Sequence, residues 1–195
     1  MALEDDIKLE VQRTFQKQWS VTNATQVPTP EDVTLGGNYA SALAEATVLY
    51  ADLDGSTSMV DNKSWQFSAE IYKSFLHCAA KLIRAENGEI TAYDGDRIMG
   101  IFYGGNDKNT RSVRCALKIN YAVTKIINPA IQAQYPQYGF AVKHVVGIDA
   151  SPLHAARTGV RGDNDLVWVG RAANYAAKLT EDSLDQPTWI TSNIV

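Results

Sequence analysis

VLYADLDGSTSMV, residues Val48 to Val60, is the stretch from which the fold is read. An apolar run ends in two acidic residues one apart, Asp52 and Asp54, then Gly55, then the hydroxyls of Ser56, Thr57 and Ser58. A strand that delivers carboxylates to a glycine turn serves a metal ion, a phosphate or both. Hard cations take oxygen ligands, and free backbone N–H groups in such a turn bind phosphate oxygens. Gly55, Ser56 and Thr57 therefore form a candidate phosphate-binding turn.

Working outward, Leu3, Ile7, Val11, Phe15 and Trp19 recur every fourth residue, a helical stripe ending in the polar connector SVTNATQVPTPED. This stripe is read as packing surface, on its own domain, on a partner subunit or on both. From Thr47 a short β-branched strand reaches Asp52. A helix follows, with Trp65, Ile71, Phe75, Ala79 and Leu82 on one face and Asn87-Gly88 as its C-terminal cap. EITAYDGDRIMGIF reads as two strands joined at Asp94-Gly95. A second helix carries Val113, Cys115, Ala116, Leu117, Ile126 and Ile127 until Pro129 bends or ends it. FAVKHVVGI is a buried strand with LHAARTG as its neighbour, VRGDND a polar loop, LVWVG a strand, RAANYAAKLTED a helix, and TWITSNIV a strand-like tail. The expected class is α+β, helices packed on a mostly antiparallel sheet. Residues 1–35 are read as an N-terminal helix and linker, and 36–195 as one catalytic domain.

Composition sets limits. With 195 residues, 45% apolar and 21% charged, the chain is ordinary for a globular domain. A formal net charge of -4 offers no basic surface for counterion-driven nucleic-acid binding. Cys78 and Cys115 fall in helices and read as reduced thiols. His77, His144 and His154 have no zinc-ligand spacing. MALEDDIKLE lacks the apolar core of a secretory signal, and no window approaches the ~20 apolar residues of a membrane span. A cytoplasmic domain without nucleic-acid or membrane partners is the expectation. The last strand stops abruptly at Val195, which leaves room for a longer native chain.

Two families claim these letters. DLDGS resembles the first motif of haloacid-dehalogenase-type phosphatases, which would make Asp52 a nucleophile and Asp54 an acid/base. That fold alternates strands and helices around a parallel sheet, whereas this pattern has a hairpin. The fuller resemblance is to the class III nucleotidyl cyclase catalytic domain. VLYADLDGST is similar to its apolar strand and D-[IL]-x-G-[FS]-T, and YDGDRIMGIF to its hairpin G-D and apolar strand. VVGIDASPLHAARTG resembles its R-x-G-I-x-x-G-x-V strand pair, and VGRAANYAAKL its G-x-x-V-N-x-A-x-R-L. The four occur in the right order, and the implied fold is the ferredoxin-like cyclase sandwich.

The resemblance implies two divalent ions, Mg²⁺ or Mn²⁺, held by Asp52, Asp96 and the Leu53 carbonyl. Arg171, Asn174 and Lys178, spaced by three and four, share a helix face. By resemblance Asn174 orients the ribose and Lys178 stands where the family has an arginine at the α-phosphate. Lysine keeps the charge and loses the planar fork, so Arg171 is a further candidate. The family's sites form between two chains, implying a homodimer. Purine readers of the family would fall at Ala92 and Val167, neither able to hydrogen-bond through its side chain, and Tyr50 replaces a common phenylalanine. This combination resembles the bacterial anti-phage pyrimidine cyclases, whose cyclic product activates a separate effector protein. UTP is favoured over CTP as the implied substrate. A purine cyclase and a catalytically inactive nucleotide-binding relative are the alternatives.

Overall fold

The computed structural model describes residues 2–181 and 185–195. Its centre is one long antiparallel pair. Strand β2 runs from Tyr39 to Asp54, and β5 from Lys143 to Val160. They pair from Ala40↔Ala156 to Asp54↔Lys143. Among the described residues seven strands form one sheet, ordered β3-β4-β2-β5-β6, with β1 (Ser20–Asn23) beside β2 and β7 (Thr188–Ile190) beside β5. The last two pairings are parallel and the others antiparallel. The alternating parallel units of the phosphatase alternative are not this arrangement.

Alternation along β2 sorts its residues between two cores. Leu49, Ala51 and Leu53 enter a large cluster with Phe67, Ile71, Phe75 and Ile83 of α3 (Trp65–Ala85) and Cys115, Ala116 and Ile119 of α4 (Lys108–Ala122). Val48 and Tyr50 face the other way, onto a smaller cluster with Ala172, Ala173 and Ala176 of α6 (Arg171–Lys178). The sheet is thus sandwiched between α3 and α4 on one face and α6 on the other. Glu86, buried at the end of α3, receives hydrogen bonds from Arg114 Nε (2.7 Å) and Lys118 Nζ (2.5 Å), tying α4 to α3. Both cysteines are free thiols, Cys115 fully buried.

Several local expectations change. The first strand begins at Tyr39 rather than Thr47, because the alanine-rich run YASALAEA continues the pairing with β5. LHAARTG is not a neighbour of the preceding strand but its continuation. The register shifts between Leu43 and Ala46, opposite Leu153 and Ser151, so Pro152, which has no N–H to give, lies at a bulge. VRGDND is mostly strand: β6 spans Asp163–Val169 and pairs back to Val160 across a tight turn. The other hairpin, β3 (Glu89–Asp94) to β4 (Arg97–Phe102), turns on Gly95-Asp96, one residue later than read.

Pro129 does not stop its helix. A π-turn over Val123–Ile127 leads into α5 (Asn128–Gln134), whose first turn needs no N–H from the proline. Trp65, Leu117 and Ile126 are exposed rather than on the buried faces, Trp65 because it begins α3 ahead of the first buried turn. Asn87 caps α3 in the left-handed conformation, with the Gly88 N–H donating to the Ile83 carbonyl. The last helix ends at Lys178, and Asp182, the final residue of the expected helix RAANYAAKLTED, lies outside the described residues. The tail is a three-residue strand followed by a 3-10 turn at Ser192–Ile194.

Helix α1 (Leu3–Gln16) forms as its stripe predicts but buries no residue, and Phe15 is 86% exposed. Trp19 lies beyond its end. Among the described residues the stripe stays exposed rather than buried against the domain. The helix is fastened at its C-terminal end, where the buried Asn38 amide donates to the carbonyls of Thr14 (2.8 Å) and Lys17 (2.7 Å).

Candidate active site

Two strand ends build the first half of the site. Antiparallel pairing of β2 with β4 runs to Ala51↔Ile98, so the next residues out, Asp52 and Arg97, face one another across the strands. Arg97 Nε and Nη2 both donate to Asp52 Oδ2, at 3.1 and 2.9 Å. Asp96 precedes Arg97 on the hairpin turn, and its Oδ2 is buried with no hydrogen-bond partner. Tyr50, on the same face as Asp52, packs with Ala92 against the cluster under α6.

The electrostatics fit a cation site. Burial pushes the Asp52 carboxyl above the usual aspartate range; Arg97 pulls it down by hydrogen bond and charge, Asp96 pushes it up, and the Leu53 backbone N–H helps the charged form. The Asp52 side chain is only 14% exposed, and one guanidinium does not offset that burial. For Arg97, burial works against its charge, but Asp52 and then Asp94 hold it above its ordinary value. Burial likewise raises the Tyr50 phenol. Two carboxylates from adjacent strand ends, one with an orphaned oxygen, are the hard donor set that Mg²⁺ or Mn²⁺ takes. Among the described residues no group of three or more His, Cys, Asp or Glu side chains gathers as a metal cluster. Any further ligands would be backbone carbonyls, water or substrate oxygens.

Gly55 adopts φ +74°, the left-handed conformation that turns the chain out of β2 and into the short helix α2 (Ser56–Asn62). Ser56 and Thr57 open that helix beside the carboxylates, and its buried Met59 fixes it to the core. Asp54 is exposed at the strand end.

The second half lies on α6. Ala172, Ala173 and Ala176 are buried, so Arg171, Asn174 and Lys178 are left facing solvent on the opposite side. The helix lies almost on the backbone of β5: a Cβ on Gly147 would stand 2.1 Å from the Ala176 carbonyl oxygen. Ser151 Oγ accepts the Ala172 N–H at 2.9 Å and so caps the first turn. Arg171 is engaged locally, 3.6 Å from the buried Asp149 and over the Tyr175 ring at 4.6 Å. Within one chain, among the described residues, no hydrogen bond or ion pair joins Asn174 or Lys178 to Asp52 or Asp96. Val167 is 43% exposed on β6, while its neighbour Trp168 turns in toward the cluster that holds Tyr50 and Ala92.

Sequence reading missed Arg97. The signal was present, since the residue after the hairpin aspartate opens the apolar strand RIMGIF and is its one charge. What pattern alone lacked was the β2–β4 register that sets Arg97 opposite Asp52.

Among the described residues no helix is long and apolar enough to cross a membrane. No protein-family model matches the chain. It is 60% identical over 194 residues to a uridylate cyclase of Burkholderia cepacia, covering 100% of this chain and 83% of that protein. It is 52% identical over 196 residues to a uridylate cyclase of Xanthomonas perforans, with the same 100% and 83% coverage. Among solved structures, the adenylyl cyclase CyaB from P. aeruginosa superposes with a TM-score of 0.68 at 18% identity, over 80% of each chain, a likeness of fold. With the curled antiparallel sheet, the strand-end carboxylates and the exposed face of α6 in place, these relatives settle the family: the chain belongs to the uridylate cyclases, built on the class III nucleotidyl cyclase fold.

Proposed function

We propose that the chain acts as a homodimer converting UTP to 3′,5′-cyclic UMP and pyrophosphate, in the cytoplasm, as a second messenger of anti-phage defence read by a separate effector protein. The observation that carries this reading is that Asp52 and Asp96 lie near enough for each charge to act on the other, Asp96 with an orphaned oxygen. The names of the relatives at 60% and 52% identity support uracil over cytosine and over a purine.

In the reaction the ribose 3′-oxygen bonds to the α-phosphorus as the bond to the β-phosphate breaks. Divalent ions bound by Asp52, Asp96 and the Leu53 carbonyl would supply Lewis-acid charge to the attacking hydroxyl and the triphosphate. Backbone N–H groups at Gly55, Ser56 and Thr57 hold phosphate oxygens. Asn174 of one chain orients the ribose bound at the carboxylates of the other, and Lys178 places a point charge on the α-phosphate. Arg171, engaged with Asp149, is the less direct of the two cations. The exposed position of Asn174 and Lys178, without a link to the carboxylates of their own chain, supports a site shared between two copies. Tyr50 fills space that a larger base would need, and Ala92 and Val167 offer no side-chain purine reader.

The test incubates purified protein with Mn²⁺ or Mg²⁺ and each of UTP, CTP, ATP and GTP, identifying the product by mass, with Asp52→Ala as blank. Cyclic UMP as the main product is expected. Cyclic AMP would overturn the base argument, and no cyclic product from any nucleotide would overturn the enzyme reading in favour of a nucleotide-binding relative.

A further inference from the structure

Arg97 follows one candidate metal ligand, Asp96, and bonds to the other, Asp52. Both of its hydrogen bonds go to a single oxygen of Asp52, and both side chains are largely withdrawn from water, at 28% and 14% exposure. A guanidinium cannot ligate a metal ion, and a divalent cation on the same oxygen would repel it at close range in a site where water screens weakly. The two cations therefore oppose one another at the Asp52 carboxylate, whichever of its oxygens the metal takes. The hairpin supplies somewhere for the loser to go. Asp94 pairs with Arg97 directly across β3 and β4, its side chain is exposed, and it already acts on the guanidinium charge.

We propose that Arg97 is a built-in placeholder for the metal. It holds the Asp52 carboxylate in the ligand position in the metal-free chain, and it passes to Asp94 when a divalent ion loads, so that loading works against an ion pair. The device has a structural rationale. Asp94 and Asp96 lie at the β3–β4 turn, Asp52 meets it from the neighbouring strand β2, and Arg97 is the basic residue among them. Without it, carboxylates held close together would repel before any metal arrived. With it, the site keeps its geometry but takes up metal less readily than its carboxylates alone would. The inference rests on the metal-site reading given above.

Direct Mn²⁺ binding to nucleotide-free protein, followed by the electron paramagnetic resonance of the free ion, tests it without reference to turnover. Arg97→Gln is expected to tighten Mn²⁺ binding about tenfold or more, and Arg97→Lys, which keeps charge without the fork, to give a smaller gain. Asp94→Asn is expected to weaken binding several-fold in the native background and to have little effect once Arg97→Gln is present. If Arg97→Gln fails to fold, the lysine variant and the Asp94→Asn result carry the decision. Asp52→Asn separates the two readings. If it binds Mn²⁺ as well as the native chain, the metal site itself is wrong and the inference falls with it. If it abolishes binding while neither Arg97 variant tightens it, the metal site stands and the placeholder role is overturned.

Discussion

Adding a single methyl group at Gly147 puts the seating of α6 to the test. In Gly147→Ala the new Cβ would meet the Ala176 carbonyl oxygen at 2.1 Å and the Leu179 Cβ at 2.8 Å, where ordinary contacts begin at 3.4 Å. The helix must lift by about 1.3 Å to restore that spacing, since a backbone carbonyl cannot rotate away as a side chain can. Overpacking of this kind costs about 1–3 kcal/mol, readable as a lowered urea midpoint at unchanged slope. The larger effect is expected in catalysis. A lift of that size carries Asn174 and Lys178 with it, and misplacement by ~1 Å can cost ~100-fold in rate. Steady-state cyclisation of UTP should therefore show kcat reduced about a hundredfold, with KM changed far less. A variant with native stability and native kcat would refute both the close approach of α6 to β5 and the part assigned to its outer face.

Three further outcomes can be checked. Ser151→Ala removes the acceptor for the Ala172 N–H and should lower unfolding stability by about 1 kcal/mol in urea melts; no change would mean that another group caps α6. Tyr50→Ala opens space beside the carboxylates and should raise the ratio of ATP to UTP turnover at least ~10-fold in competition assays read by mass, whereas a fall in all turnover with no gain for ATP would refute a size-selective role. Burial pushes His144 down from 6.5 to about 4. Because the folded chain keeps the imidazole neutral while the unfolded chain protonates it, stability should fall as pH drops from about 6.5 toward 4, by up to ~3 kcal/mol from this one group. Urea melts at pH 7, 5.5 and 4.5 should show a shallower pH slope in His144→Phe, and equal slopes would refute the assignment.

The elements that carry the candidate site were legible because each is announced locally. Asp52 ends a β-branched run, Asp96 sits at a glycine turn, and alanine spacing gives α6 its buried face. What pattern could not supply was long-range register. Nothing near LHAARTG says that it continues a strand, because a proline interrupts the run, and the bulge that accommodates Pro152 is contributed by residues far away at Ala44 and Glu45. Trp65 misled because periodicity marks an apolar face but not which of its turns meets the core, and Leu117 because it lies outside the face that Ser112, Cys115, Ala116 and Ile119 bury. Arg97 was overlooked because its significance comes from the residue across from it, not from its neighbours in sequence.

The bulge at Pro152 has a consequence for the accuracy with which the site is assembled. Strands β2 and β5 together position both parts of the candidate site: β2 carries Asp52 two residues before its end, and β5 carries the glycine on which α6 rests. A slip of two residues between them would keep every side chain on its proper face, so alternation alone does not forbid it. Such a slip would displace the carboxylates by about 6.6 Å along the strand relative to the helix seat, far more than catalysis tolerates. Pro152 acts as an index pin against that error. It fits only where the facing strand has a spare residue and no N–H is required, so the sheet has one alignment in which the proline is accommodated, and that alignment sets the distance between Asp52 and the seat of α6.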